Sequence, residues 1–166
     1  ETLDAAAVEH VLVAESRPGR EGVAVAERLA AETDVTLTTD AGFAHALATQ
    51  DIDPLLVGAD AVLADGRVLN KVGTRSAALA AAHEGIQVLV VTASDKIRPG
   101  TDADLEARSP AEVYDGTASV SVVNPTFDVT PTACLDAVVT ERGPLDSAAV
   151  ERIAAEHRAL RAWDEE

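Results

Sequence analysis

Four short apolar runs, at residues 10–15, 35–39, 55–58 and 87–92, carry β-branched and leucine side chains on both of their alternating faces. A strand that is apolar on both faces has to be covered on both, which only a sheet clothed by helices achieves. The intervening stretches supply the helices. Residues 21–33 place Val23, Ala26, Leu29 and Ala30 at helical spacing, Asp40 is a candidate N-cap for a helix over 40–48, and Thr74 opens an Ala-rich helix to Glu84 that Gly85 ends. Asp65-Gly66 sits between two short apolar runs and predicts a hairpin. Further along, the sequence predicts an irregular connection over 93–116, a fifth strand over 118–123, a loop over 124–130, a sixth strand over 138–140 and a terminal helix over 146–163 with Val150, Ile153, His157 and Leu160 on one side. The expected fold class is therefore α/β, a mostly parallel sheet flanked by helices, and 166 residues fit one domain over 1–166. In such sheets ligands bind beyond the carboxyl ends of the strands, so the loops after Glu15, Thr39, Gly58, Thr92 and Val123 are the ones to inspect.

Charge removes several function classes. Acidic residues number 29 against 13 basic, a formal net charge of −16, and such a field repels nucleic acid. An acid-rich, lysine-poor surface suits a halophile, since self-repulsion is screened when the Debye length falls to about 3 Å near 1 M salt. Aromatics make up only 2% of the chain, so the core has to be built from Ala, Val, Leu and Ile. A single cysteine, Cys134, excludes an internal disulfide and suits a reducing compartment. No apolar run approaches the roughly 18 residues that span a bilayer, and Glu1-Thr2-Leu3-Asp4 lacks the order of a signal peptide, so a cytoplasmic protein without a membrane partner is expected.

Only two of the 13 basic residues are lysines, Lys71 and Lys96, and both fall in segments that leave strands. Asp60 follows the third strand in Val57-Gly58-Ala59-Asp60-Ala61, where a carboxylate can act as a general acid or base or can simply cap the turn. Asn70-Lys71-Val72-Gly73-Thr74 opens the Ala-rich helix. Backbone N–H groups at Gly73 and Thr74 beside the Lys71 charge make an anion site, the alternative being an ordinary cap next to an exposed lysine. The order of a Walker A loop is missing. Arg17 leaves the first strand and can meet phosphate, carboxylate or a surface acid, and Lys96 leaves the fourth strand toward the same rim. Asp128 lies in Asn124-Pro125-Thr126-Phe127-Asp128-Val129-Thr130-Pro131, a rigid loop that forms either a wall of the site or a dimer contact. His10, His45, His83 and His157 lack metal-ligand spacing, so neither a metal nor a cofactor is expected, and Cys134 reads as an inert core thiol.

Taken in order, Glu15-Ser16-Arg17-Pro18-Gly19-Arg20-Glu21-Gly22, Val57-Gly58-Ala59-Asp60-Ala61, Asp65-Gly66, Asn70-Lys71-Val72-Gly73-Thr74 and the segment from Asn124 to Pro131 resemble one family over nearly the whole chain. It comprises the translation initiation factor 2B alpha, beta and delta subunits, ribose-1,5-bisphosphate isomerase and methylthioribose-1-phosphate isomerase. The resemblance implies a three-layer Rossmann-like domain, the C-terminal domain of a longer protein whose N-terminal domain is helical. It also implies that Asp60 is the catalytic aspartate, that Asn70 and Lys71 hold a sugar phosphate, and that Lys96 falls where the bisphosphate isomerases place a binding lysine. With Arg17, Gly73, Thr74 and Asp128 from the residue reading, these form the expected substrate-binding set. The chain departs from the family pattern in one respect: the family's catalytic cysteine precedes the Glu-Ser-Arg-Pro block, and no residue before Glu15 here is a cysteine. Two functions compete. One is aldose–ketose isomerisation of ribose 1,5-bisphosphate. The other is a non-catalytic regulatory subunit that senses a nucleotide or sugar phosphate and contacts initiation factor 2 subunits. A degenerate fold serving only dimerisation is a third. In each case the resemblance implies a homodimer or higher homo-oligomer.

Overall fold

The structure, a computed structural model, describes residues 8–162, so Trp163 and the first four residues lie outside the described part. The chain divides into two compact units, Glu1–Gln50 and Asp51–Glu166.

The first unit contains β1 (His10–Ala14), α1 (Glu21–Leu29), β2 (Asp34–Thr38), a 3-10 turn over Asp40–Gly42 and α2 (Phe43–Thr49). β1 and β2 pair in parallel from His10 opposite Asp34 to Ala14 opposite Thr38, with α1 as the crossover that parallel pairing requires. α1 begins so close to β1 that a Cβ at Gly22 would lie 1.8 Å from the Ala14 carbonyl oxygen, so only glycine fits there. The helix stops at Leu29 rather than Thr33, because the chain turns back and the Thr33 hydroxyl donates to the Val8 carbonyl at 2.9 Å. The expected cap also moves by one residue. Thr39 Oγ1 accepts the Gly42 N–H at 3.1 Å, while the Asp40 carboxylate accepts the N–H groups of Ser16 and Arg17 at 2.9 and 2.6 Å.

The second unit runs β3 (Pro54–Val57), β4 (Ala61–Val62), β5 (Val68–Lys71), α3 (Thr74–Glu84), β6 (Gln87–Val91), β7 (Phe127–Thr130), β8 (Ala137–Thr140), β9 (Gly143–Leu145) and α4 (Ser147–Ala162). The α/β class holds, but the strands of this unit do not form one mostly parallel sheet. β3, β6 and β8 are parallel neighbours with β9 antiparallel at the edge, and β4, β5 and β7 form a separate antiparallel sheet. The Asp65-Gly66 turn accounts for the second sheet: it folds β5 back on β4, pairing Val62 with Val68, and leaves the other edge of β5 for β7. The strand expected over 118–123 is an irregular segment, with Val120 55% and Val123 89% exposed. Alternating side chains make a strand only where a neighbour takes up the backbone hydrogen bonds. β5 offers that edge to Phe127–Thr130, inside the stretch expected to be a loop.

α4 presses Val150, Ile153 and Ala154 onto Val90, Val138 and Leu145, and Val62, Val68 and Ile97 complete the cluster. Burying one such side chain contributes about 1.5–3 kcal/mol. The cluster is entirely aliphatic, as the scarcity of aromatics requires. Leu160, expected on the packed side of α4, is 68% exposed because the last turns of the helix run past this cluster. Among the described residues no helix is long and apolar enough to cross a membrane.

Candidate functional site

The β4–β5 hairpin brings the third-strand end and the Asn70-Lys71 segment side by side. The Asp60 N–H donates to the Leu69 carbonyl at 2.9 Å, which sets the half-buried Asp60 next to Asn70 in space. A Cβ built on Gly58 would lie 3.9 Å from Asn70 Oδ1. The Asn70 side chain is oriented from the other end. The Thr74 hydroxyl donates its one proton to the Lys71 carbonyl at 2.8 Å and accepts from Asn70 Nδ2 at 2.9 Å. Asn70 Oδ1 therefore lies on the Gly58 side, and the amide is held at its Nδ2 end.

Asp60 and Lys96 line one groove of about 510 Å³, with Asp95, Ile97, Arg98, Pro99, His157, Leu160 and Arg161. Lys96 ends a 3-10 turn over Ser94–Lys96 whose start is clamped: the Ser94 N–H donates to Glu141 Oε2 at 2.9 Å and its hydroxyl to Oε1. The Ser94 hydroxyl, then its N–H, hold the Glu141 carboxyl below its usual value. Beyond the turn, the buried Ile97 bridges to Val62 of β4, and the Arg98 N–H donates to the Val62 carbonyl at 2.7 Å. The groove floor is thus an extension of the core.

At the N-terminus of α3, Gly73 adopts φ +107°, which only glycine tolerates without strain. The Gly73 N–H donates to Asp128 Oδ2 at 2.8 Å, and the Arg75 N–H lies 3.1 and 3.2 Å from the two Asp128 oxygens. The anion at this helix end is the protein's own β7 carboxylate. Burial raises the Asp128 carboxyl above its ordinary value, and the N–H groups of Gly73 and Arg75 oppose that shift. Lys71, half-buried opposite Phe127, places its charge near Glu112. The Glu112 carboxyl is held low first by Arg108, which grips it at 2.7 and 2.8 Å, then by the Asn124 amide, with Lys71 contributing least.

Of the expected residues, Asp60, Asn70, Lys71, Gly73, Thr74, Lys96 and Asp128 all belong to the second unit, and Asp60 and Lys96 share the groove. Arg17 belongs to the first unit, exposed and flanked by left-handed Ser16 and Arg20 at φ 62° and 59°. Half-buried Cys134 does not line the groove. Sequence reasoning missed Arg98, His157 and Arg161. Two signals were available: Arg98 lies two residues past Lys96, and His157 and Arg161 are four apart and so on one face of α4.

A model of the initiation factor 2 subunit family matches residues 2–147. The chain belongs to that family. It is 42% identical over 142 residues to the ribose 1,5-bisphosphate isomerase of Haloferax volcanii, covering 80% of this chain and 43% of the relative. To the methylthioribose-1-phosphate isomerase of Ectopseudomonas mendocina it is 40% identical over 150 residues, 84% of this chain and 42% of that one. Among solved structures, 5-methylthioribose 1-phosphate isomerase from Pyrococcus horikoshii OT3 superposes with a TM-score of 0.79 at 29% identity, over 92% of this chain and 46% of the other. The delta subunit of translation initiation factor eIF-2B from A. fulgidus gives 0.77 at 28%, over 88% and 47%. The chain thus spans less than half the length of these relatives.

Proposed function

We propose that this chain contributes the sugar-phosphate side of an aldose–ketose isomerase that converts ribose 1,5-bisphosphate to ribulose 1,5-bisphosphate. The observation that carries this reading is the placement of Asp60 beside the Asn70 amide, which donates to Thr74, and in one groove with Lys96. The names of the relatives support the substrate class. In the reaction C2 loses its hydrogen and becomes a carbonyl carbon. C1 gains a hydrogen as its bond to the ring oxygen O4 breaks, and the O2 proton ends on O4. A positioned carboxylate is suited to carry that proton, which is the role assigned to Asp60. Asn70 and Lys71 hold the C1 phosphate, and Lys96 offsets further phosphate charge. Gly73, Thr74 and Asp128 act by fixing the Asn70-Lys71 segment, and Arg17 supplies an additional anion contact. The Rossmann-like layering, a homodimer or larger homo-oligomer and a high-salt setting belong to the same proposal.

A second reading is supported by the likeness to the delta subunit of translation initiation factor eIF-2B from A. fulgidus. In that reading the same pocket senses a sugar phosphate or nucleotide in a regulatory subunit that contacts initiation factor 2 subunits. Incubating the full-length protein with ribose 1,5-bisphosphate separates the two. Formation of ribulose 1,5-bisphosphate supports the isomerase. Binding without turnover, together with recovery of initiation factor 2 subunits in a pull-down, supports the regulatory subunit, and absence of a thermal shift with the sugar rejects the isomerase.

A further inference from the structure

Three cationic side chains, Lys96, Arg98 and Arg161, line the Asp60 groove, and Arg158 stands beside it with Nη2 donating to the Pro99 carbonyl at 2.6 Å. A chain with net charge −16 and 13 basic residues has gathered four of them on one surface. Lys96, Arg98 and Arg161 are exposed, and none forms an ion pair among the described residues, whereas Arg67, Arg108 and Arg142 do. Cations that repel one another in a groove, on a surface so rich in carboxylates, are the arrangement expected of an anion site. Among the described residues that line the groove the acids are Asp60 and Asp95, and neither lies on α4.

The α4 side is also built on fixed backbone. The Arg98 N–H is tied to Val62 at 2.7 Å, and Ile97, 1% exposed, anchors the segment in the core. His157 lies 2.8 Å through Nδ1 from the Ile97 carbonyl. A carbonyl only accepts, so Nδ1 carries the proton and donates, and Nε2 is the ring atom left for a ligand.

We infer that Arg98 and Arg161 form a phosphate subsite at the α4 end of the Asp60 groove, which takes the second phosphate of a sugar bisphosphate. This rests on the sugar-phosphate reading above and adds to it a determinant of substrate choice. The two substrate types named for the relatives differ at C5, where one carries phosphate and the other an uncharged methylthio group. A guanidinium pair matches the planar, multi-oxygen face of phosphate and offers a methylthio group nothing.

Calorimetric titration of the full chain with ribose 1,5-bisphosphate and with ribose 1-phosphate tests it, on the wild type, Arg98→Ala/Arg161→Ala and Arg98→Lys/Arg161→Lys. The expected wild-type preference for the bisphosphate is about tenfold to a hundredfold at low salt, on the scale of one or two hydrogen bonds to a charged group. The alanine pair removes that preference and leaves ribose 1-phosphate affinity within about twofold, the lysine pair keeps part of it, and 1 M salt shrinks it. Both side chains are exposed, so circular dichroism is expected to show an unchanged fold, and Arg161→Ala alone, with a smaller loss of preference, serves should the pair unfold. A wild-type preference that survives the alanine pair overturns the subsite and leaves the sugar-phosphate reading standing, as does equal affinity for the two sugars. Failure of both sugars to bind overturns both.

Discussion

Asp60 and Asp128 are half-buried aspartates on either side of β5, one beside Leu69 and the other opposite Asn70. Their carboxylates are used differently. Both oxygens of Asp128 receive N–H groups at the start of α3, which ties β7 to that helix. Asp60 is held by its backbone alone, and its carboxylate accepts no hydrogen bond among the described residues while facing a groove with Lys96, Arg98 and Arg161. A carboxylate whose lone pairs are taken by the backbone is positioned to hold structure. One that is fixed at the backbone and open at the side chain is positioned to exchange protons with a ligand. On the proposed reading Asp128 serves stability and Asp60 turnover, and substitutions separate the two.

The largest effect is expected for Asp60→Asn. Turnover of ribose 1,5-bisphosphate falls by about 10²- to 10⁴-fold, the usual contribution of a positioned acid–base group, while bisphosphate binding and thermal stability stay near wild type. Steady-state kinetics beside calorimetry reads both, and residual turnover near the wild-type rate removes Asp60 from the chemistry. Next comes Ile97→Ala, which empties a site 1% exposed beneath the groove. Denaturant unfolding is expected to show a loss of about 2–5 kcal/mol. A loss well below that range detaches the groove floor from the core.

Asp128→Ala is expected to cost about 1 kcal/mol, the typical effect of deleting a helix N-cap acceptor, whereas Asp60→Ala costs close to nothing in the same urea titration. Equal costs dissolve the distinction. The smallest effect is one of pH. Burial raises the Asp128 carboxyl above 3.8, so between 3.8 and the raised value the folded chain binds more protons than the unfolded one. Stability from this group is fullest below 3.8 and declines as pH rises through that window. Urea midpoints measured across it are expected to fall less steeply for Asp128→Asn than for the wild type, and identical slopes contradict the assignment.

Much of this was legible in the residues where the signal was local. The α3 span from Thr74 to Glu84 with Gly85 at φ 74° followed from a cap, an alanine run and a stop, and the Asp65-Gly66 hairpin followed from one dipeptide. Pairing partners were not legible. Residues 118–123 alternate as a strand does yet find no neighbour, while Phe127–Thr130, broken by Asp128 and bounded by proline, finds β5. The same limit holds at the site. Helix-end chemistry at Gly73 was readable, but that Asp128, 55 residues away, supplies the anion is a product of register. Arg98 joins α4's His157 and Arg161 only because Ile97 docks on β4 and its carbonyl meets His157.

Amide chemical-shift mapping reads directly where a sugar phosphate sits. Titrating ribose 1,5-bisphosphate into the ¹⁵N-labelled full chain is expected to move the resonances of Gly58, Ala59, Asp60, Asn70, Lys71, Lys96 and Arg98 in one saturable transition. Shifts confined to other residues, or none at saturating sugar, contradict the assignment of the Asp60 groove as the sugar-phosphate site.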